Sequence, residues 1–345
     1  MGCLSERYRA DLEAEMPEVD RYFGKFDFLD LIDELKAQRP SCARPWERTL
    51  TTPAHYAYVK ISEGCNRFCS YCAIPLITGR HTPRGAQEVL DEVRWLAAQG
   101  VREVQVIAQD LSAYPHLPDL IERMSDIQGI DWIRLHYAYP ADFPLDLLRV
   151  IRERPNVCKY LDLALQHCTD HMLRLMRRHI TAEEQENLLR TIRAEVPNIH
   201  IRTTLMVGHP GETEDDFLAL CDFTRRQRFE RMGAFAFSNE EGTYAFCHYK
   251  DDVPDEVKQH RLDTLMDIQQ SIAADISAAK IGSTLQVIID REENDYFVGR
   301  TEFDSPEVDC EVLIDKSQPL RIGEFYPVRI TDSENFDLYG QIQHT

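Results

Sequence analysis

The sequence has no run of eighteen apolar residues, so it offers no stretch suited to a membrane-spanning helix. Its first residues, MGCLSERYRA, lack the apolar stretch and the small-residue cleavage site of a secretory signal. No internal repeat or low-complexity segment stands out. We therefore expect a cytoplasmic, globular protein without a membrane partner. With 43% hydrophobic residues over 345 positions, it is long enough for two or more domains around a large core.

Basic residues are scarce. The chain has 39 Lys and Arg against 59 Asp and Glu, a formal net charge of -20. A field of that sign repels phosphate backbones and attracts basic surfaces. DNA and RNA are therefore disfavoured as partners, and only a local basic patch would reverse this expectation.

Ten cysteines are expected to be reduced thiols or metal ligands in a cytoplasmic chain of this size. Three of them, Cys65, Cys69 and Cys72, share the CxxxCxxC spacing of EGCNRFCSYC, which lets one loop wrap a single site. A structural zinc or an electron-transfer cluster would need a fourth ligand. Three thiolates instead leave one iron of a [4Fe-4S] cluster open. The alternatives are a zinc site completed by His81 or a distant thiol, and three unrelated buried thiols.

An open iron can chelate the amino and carboxylate groups of S-adenosylmethionine. An electron from the cluster can then cleave the carbon-sulfur bond and generate a 5′-deoxyadenosyl radical. The cysteines also follow a predicted strand, at the strand end where barrel enzymes build their active sites. The spacing and the position together predict a radical-generating enzyme.

Short apolar runs alternate with helical ones between Tyr56 and about Lys280, which is typical of β-α units around a parallel sheet. Gly100 is placed to end one helix, and Thr181 with Glu184 predicts a capping box at the start of another. After Lys280 several short strands predict a small antiparallel barrel. The predicted sheet strands are Ala57–Ile61, Glu103–Ala108, Trp132–Tyr137, Tyr160–Leu163, Ile199–Val207 and Met232–Phe237.

Four stretches of the central region are similar to the methylthiotransferase branch of the radical S-adenosylmethionine superfamily: ISEGCNRFCSYCAIP, VIAQDLSAY, LQHCTDHMLRLMRR and RTTLMVGHPGETEDDF. Two more, SNEEGTYA and GRTEFDSPEVDCEVLI, resemble the RimO group, whose members methylthiolate an aspartate of ribosomal protein twelve of the small subunit. The resemblance covers nearly the whole chain.

This resemblance implies an α/β fold with a partial (β/α)6 TIM-like radical SAM barrel, a small C-terminal antiparallel TRAM barrel and a remnant of an N-terminal α/β domain. The corresponding divisions are a remnant at 1–35, a linker at 36–53, the radical SAM domain at 54–280 and the TRAM-like domain at 281–345. Pro17 and Gly24 should interrupt the helical remnant.

The resemblance also implies a reaction, in which a methylthio group is added to the β-carbon of an aspartate with S-adenosylmethionine and an electron donor. The implied partners are ribosomal protein twelve and the ribosome. Complete family members carry a second [4Fe-4S] cluster, and Cys3 matches its third ligand. Because the other two ligands have no counterpart, we expect an N-terminally truncated chain with one complete cluster, which leaves its activity open.

Six residues are implied to bind S-adenosylmethionine. Tyr71 matches a position near the adenine, and Gln109 and Asp110 match a segment that meets the methionine end. An arginine inside a barrel needs an anion, which the cofactor carboxylate could supply to Arg202. The alternatives are an ordinary loop aromatic, a structural ion pair at Arg202, and a plain tight turn at the glycine loop. The six are Tyr71, Gln109, Asp110, Arg202, Gly208 and Glu212.

Two residues at the end of the fourth predicted strand, Gln166 and His167, are candidates for a substrate pocket, although a core histidine is the commoner outcome. The remaining thiols have no cluster spacing and should be buried small hydrophobes. They are Cys158, Cys168, Cys221, Cys247 and Cys310.

The charge of the C-terminal region distinguishes modification of a ribosomal protein from modification of transfer RNA. Residues 281–345 hold fourteen Asp and Glu against five Lys and Arg, a surface that repels RNA and would steer a basic ribosomal protein. A merely solvated acidic face is the alternative. We therefore favour the aspartate methylthiotransferase over two other functions: a transfer-RNA adenosine methylthiotransferase and a non-catalytic ribosome-binding fragment.

Overall fold

The computed structural model describes residues 1–35, 46–334 and 336–343, and none of the helices in those ranges is long and apolar enough to cross a membrane. The strands are β1 Tyr56–Lys60, β2 Ser62–Glu63, β3 Thr82–Pro83, β4 Glu103–Ile107, β5 Trp132–Ala138, β6 Val157–Gln166, β7 His200–Val207, β8 Arg231–Ala236, β9 Thr284–Glu292, β10 Tyr296–Thr301, β11 Val312–Asp315, β12 Phe325–Glu334 and β13 Asp337–Ile342. The α-helices are α1 Cys3–Arg7, α2 Arg9–Glu15, α3 Phe28–Glu34, α4 Ile74–Thr78, α5 Ala86–Ala98, α6 Leu117–Ser125, α7 Asp146–Glu153, α8 Asp170–Leu175, α9 Ala182–Glu195, α10 Glu214–Gln227, α11 Tyr244–His248 and α12 Asp255–Ala278.

Six parallel strands form the central sheet in the order β1-β4-β5-β6-β7-β8. Helices follow the strands along the chain, and α5, α6, α7 and α9 contact one another in succession. All six predicted strands are present. Strand β6 is longer than the predicted Tyr160–Leu163, because ladder partners on both β5 and β7 extend the pairing.

Local signals place the helices against this sheet. On α5, Val89, Leu90, Val93 and Leu96 are fully buried in the core, as expected for an amphipathic helix. Gly100 follows α5 with φ +91°, the left-handed conformation predicted there. The capping box predicted at the start of α9 is confirmed, with hydrogen bonds in both directions.

The C-terminal strands close into a barrel in the order β10-β11-β13-β12-β9, which confirms the predicted barrel. One pair departs from the antiparallel expectation, because β11 and β13 run in the same direction. A closed ring of five strands cannot alternate direction throughout, so an odd count requires one parallel pair. The other four pairs are antiparallel.

A segment of the C-terminal barrel lies under the amino-terminal ends of the sheet strands. Arg300 pairs with Glu103, the first residue of β4, at 2.7 Å. Tyr160 of β6 donates to Asp309 at 2.8 Å. Trp132, the first residue of β5, packs edge-on against Phe325. These contacts close the base of the sheet and leave its carboxyl end for a site.

The N-terminal region forms three short helices, and the predicted breaks at Pro17 and Gly24 both fall between α2 and α3. Helix α1 packs on α4, which lies at the carboxyl end of the sheet. Of the predicted linker, residues 36–45 lie outside the described residues. After them, Arg48 pairs with the buried Glu92 and donates to the carbonyl of Tyr58 at 2.7 Å.

Candidate active site

The loop that carries the three cysteines follows β1 and β2 at the carboxyl end of the sheet. It begins at Gly64, whose φ is +78° and whose added Cβ would lie 2.3 Å from the carbonyl oxygen of Arg80. Next to it, the Cys65 amide donates to the carbonyl of Gly79 at 3.2 Å. Only glycine allows the loop to approach that backbone so closely.

Ser70, in the middle of the loop, is held by three other segments. Its amide donates to the carbonyl of Met176 at 2.9 Å, and its carbonyl accepts from the amide of Ala245 at 2.7 Å. Its hydroxyl lies 3.0 Å from Nε2 of His209. The loop is therefore fixed before any metal binds. Sequence reasoning did not single out Ser70 or His209 as parts of this support.

The three thiols lie near one another, because Cys69 and Cys72 both act on the pKa of Cys65. Cys69 is buried, while Cys65 and Cys72 are half-buried. Burial raises the pKa of Cys65 to about 11, with further contributions from Asp110, Cys69 and Cys72. Burial also raises the pKa of Cys72. The raised pKa keeps Cys65 and Cys72 protonated near neutral pH, and a bound metal would deprotonate them.

The donor set fits a cluster better than a single ion. Within the described ranges, no three His, Cys, Asp or Glu side chains converge as the ligands of one metal ion must. This argues against the zinc alternative with His81 as the fourth ligand, although Nε2 of His81 is buried with no partner among the described residues. In a cluster each cysteine binds a different iron, so three neighbouring thiols need not converge on one point.

The structure brings two predicted residues at the end of β4 to the cysteine loop. Asp110 accepts a hydrogen bond from Nε of Arg67 at 2.6 Å. The backbone amide of Arg67 lies 3.4 Å from the Cys65 sulfur. The neighbouring Gln109 donates to Glu63 at 2.5 Å, and its Oε1 is buried with no partner in the described part of the chain. That free acceptor fits an N–H donor, such as the amino group of S-adenosylmethionine.

Tyr71 also lies in this region, and its hydroxyl accepts from Arg178 at 3.3 Å. Arg178 is buried, and its guanidinium lies 3.5 Å from the Cys69 sulfur and over the ring of Tyr139. We did not predict a role for Arg178. The available signal was its position as the last residue of the LQHCTDHMLRLMRR stretch.

The glycine loop after β7 is supported from within the protein. Gly208 has φ +74°, and an added Cβ would lie 2.3 Å from Cγ of Lys258. The Glu212 carboxylate accepts from the Gly208 amide at 2.7 Å and from Arg261 at 2.6 Å. It also lies 3.3 Å from Nε2 of the fully buried His167. Glu212 therefore holds the loop, and His167 has the environment of a core histidine.

Arg202 is not brought to the cysteine loop. It lies near the start of β7, where it pairs with Asp162 at 3.4 Å and with Asp309 of the C-terminal segment at 3.3 Å. This position is that of a structural ion pair, the alternative to a cofactor contact. Arg202 has the anionic partner that was predicted for it, but that partner is a carboxylate of the protein and not of the cofactor.

Among the other thiols, Cys3 is exposed on α1, which packs on the helix that follows the cysteine loop. Cys158, Cys221 and Cys310 are buried as predicted, and Cys168 is half-buried. The prediction of burial is wrong for Cys247, because the short helix α11 lies at the surface and exposes it.

Comparison with known proteins identifies two matching families. Residues 59–224 match the radical SAM superfamily, and residues 281–342 match the TRAM domain. A coproporphyrinogen III oxidase of Escherichia coli, described as a radical SAM enzyme, has a similar fold, with a TM-score of 0.50 and 18% identity. That match covers 68% of this chain and 56% of the oxidase, and it supports the predicted fold alone.

Curated relatives are much more similar in sequence. A protein of Parabacteroides distasonis is 60% identical over 99% of this chain and 81% of its own length. One of Bacteroides thetaiotaomicron is 61% identical over 99% of this chain and 80% of its own length. Both are named ribosomal protein uS12 methylthiotransferase RimO. The sequence motifs, the cysteine loop and these relatives agree, and the chain belongs to the RimO family of radical SAM methylthiotransferases.

Proposed function

We propose that this protein adds a methylthio group to the β-carbon of an aspartate in ribosomal protein uS12, with one [4Fe-4S] cluster at Cys65, Cys69 and Cys72. The observation that carries the proposal is a preorganised loop of three thiols at the carboxyl end of β1. The uS12 substrate follows from the names of relatives about 60% identical to this chain. When bound, the cluster and S-adenosylmethionine supply the radical that takes hydrogen from the aspartate.

The protein's own residues bind and orient these groups. The free Oε1 of Gln109 would accept a hydrogen bond from the amino group of S-adenosylmethionine. Asp110 fixes Arg67, whose backbone amide contacts the Cys65 sulfur. Tyr71 and the Gly208 loop stay predicted contacts of the adenosine end. A glycine whose Cβ would collide with Lys258 is consistent with a tightly shaped loop.

The acidic C-terminal barrel suits a basic ribosomal protein better than a nucleic acid. Fourteen acidic residues against five basic ones over 281–345 would repel RNA. We therefore place the reaction on the ribosome, in the cytoplasm, with an electron donor as the further partner. DNA and membranes have no role in it, and no described contact favours the transfer-RNA alternative.

Cys3 stays a predicted ligand of a second [4Fe-4S] cluster. Helix α1 packs on α4, which begins two residues after Cys72, so this thiol lies toward the cysteine-loop side of the sheet. That position suits a cluster that presents sulfur to the aspartate. The residues 54–280 and 281–345 would then form the catalytic and partner-binding domains.

Replacing the three loop cysteines with serine tests the function. After anaerobic reconstitution, the wild-type chain should take up iron and sulfide and cleave S-adenosylmethionine, whereas the triple variant should do neither. Cys247→Ser, at an exposed thiol, is the control and should behave as wild type. Equal iron and sulfide uptake by the triple variant would contradict the assignment.

The substrate is tested separately in cells that lack the gene. Mass analysis of uS12 should show loss of one methylthio group in the deletion strain and its return with a complementing gene. Unchanged uS12 in every strain would refute the substrate while leaving the cluster assignment intact.

A further inference from the structure

Arg178 is held under the cysteine loop by the turn that follows α8. Its backbone amide donates to the carbonyl of Leu173 at 2.8 Å, and the preceding Arg177 has φ +54°. One guanidinium nitrogen donates to the carbonyl of Ala164 near the end of β6. The residue is 6% exposed, so its charge is removed from water.

Five arginines of the described chain are buried, and four of them pair with buried carboxylates. Arg134 and Arg300 share Glu103. The other two pairs are Arg231 with Asp304 and Arg261 with Glu212. Among these five arginines of the described residues, Arg178 alone has no carboxylate partner. The side chains it contacts are those of Cys69, at the sulfur, and Tyr71, at the hydroxyl.

The contacts of Arg178 leave both a charge and a donor unsatisfied. Its Nε is buried without a hydrogen-bond partner in the described ranges. The ring of Tyr139 lies 4.1 Å from the guanidinium carbon and offsets only part of the charge. Burial of a cation without an anion is strongly unfavourable. The described residues therefore supply no anion to this buried cation, and a bound group must supply it.

We propose that Arg178 is the counter-charge of the cluster at the cysteine loop, and that it donates a hydrogen bond to the Cys69 thiolate and raises the cluster's reduction potential. This inference rests on the proposed function. One-electron reduction by the electron donor adds one negative charge to the cluster. A fixed positive charge and a donor to sulfur stabilise the reduced form more than the oxidised one. Arg178 is a positioning residue, because it acts through Cys69.

Reconstituted wild type, Arg178→Gln and Arg177→Gln should be compared by redox titration followed by electron paramagnetic resonance, without S-adenosylmethionine. Arg178→Gln should shift the reduction equilibrium at least tenfold toward the oxidised cluster, about 59 mV for one electron. Arg177→Gln, which removes a neighbouring charge stacked on Tyr244, should leave the potential unchanged.

Arg178 could instead bind the carboxylate of S-adenosylmethionine. Measuring the affinity of the oxidised proteins for S-adenosylmethionine distinguishes the two roles. Weaker binding with an unchanged potential would overturn the proposal, because the anion supplied to Arg178 would then be the carboxylate of S-adenosylmethionine. If Arg178→Gln does not retain iron, Arg178→Lys takes its place. Arg178→Lys keeps the positive charge but loses the guanidinium nitrogen that donates to Cys69, so the cluster potential should fall by less than the tenfold shift. A shift of tenfold or more despite the retained charge would overturn the counter-charge. Wild type without a cluster would refute the proposed function instead.

Discussion

At the residue scale, the site depends on side chains whose role is visible in the sequence and on others whose role is not. The spacing of Cys65, Cys69 and Cys72 could be predicted because the three thiols share one loop. The role of Arg178 could not, since it depends on which described residues surround it in three dimensions, and none of its partners there is a carboxylate. Arg202 shows the reverse case: a cation was expected to need an anion, and Asp309 provides it from a distant segment.

A substitution at Gly64 should affect both stability and iron uptake. Alanine there would combine a left-handed backbone with a Cβ 2.3 Å from a carbonyl oxygen. We expect Gly64→Ala to lower the free energy of unfolding by about 1–3 kcal/mol and to reduce iron uptake. Denaturant unfolding and iron analysis measure the two effects. Gly233→Ala is the control, because its Cβ would meet no atom within 4 Å. Equal effects of both substitutions would contradict this account.

At the element scale, strand and helix positions follow from apolar periodicity, whereas pairing does not. The six sheet strands were predictable because buried parallel strands are short apolar runs. The full length of β6 was not, since the pairing of its two ends depends on neighbouring strands on both sides. Likewise, the parallel pairing of β11 with β13 depends on barrel closure, which alternation along one strand does not encode.

The capping box of α9 is a testable case. Thr181 accepts from the Glu184 amide, and the Glu184 carboxylate accepts from the Thr181 amide at 2.8 Å. Thr181→Ala should lower the free energy of unfolding by about 1 kcal/mol, because a helix-end amide loses its partner. Thr191→Ala, at a half-buried position within the same helix, removes no helix-end partner and should change it by less than about 0.5 kcal/mol. Denaturant unfolding compares the two, and a larger loss at Thr191 would refute the explanation.

At the scale of the whole molecule, buried charges join the sheet to the C-terminal barrel. Glu103 of β4 pairs with Arg134 of β5 at 3.0 Å and with Arg300 of β10 at 2.7 Å, and all three side chains are almost fully buried. The sequence predicted both domains but not this junction, because an isolated Glu or Arg gives no sign of its partner. The junction fixes the position of the barrel beneath the sheet.

Glu103→Gln should therefore weaken the whole molecule. It leaves two buried arginines without that carboxylate, which should lower the free energy of unfolding by about 3–5 kcal/mol and separate the unfolding of the two parts. Differential scanning calorimetry would show both effects. Glu324→Gln is the control, because its pair with Arg102 is half-exposed and should contribute less than about 1 kcal/mol. One unshifted transition in Glu103→Gln would contradict the prediction.

The ion pairs of Glu103 with Arg134 and Arg300 also predict that stability depends on pH. Burial raises the pKa of Glu103, but the charges of Arg300 and Arg134 outweigh burial and leave that pKa lowered. Its stabilising contribution is therefore present above the ordinary carboxyl pKa and is lost as the pH falls through the lowered value. Glu103→Gln should reduce the fall in stability on the acid side.

The closed base of the sheet also constrains how a target is presented. Paired charges form a floor under the strands, and the reactive thiols lie at the opposite, carboxyl end. The aspartate to be modified must then enter from the carboxyl end of the strands and leave by the same route. Access from one side alone favours a protruding turn of the target over a chain threaded through the enzyme.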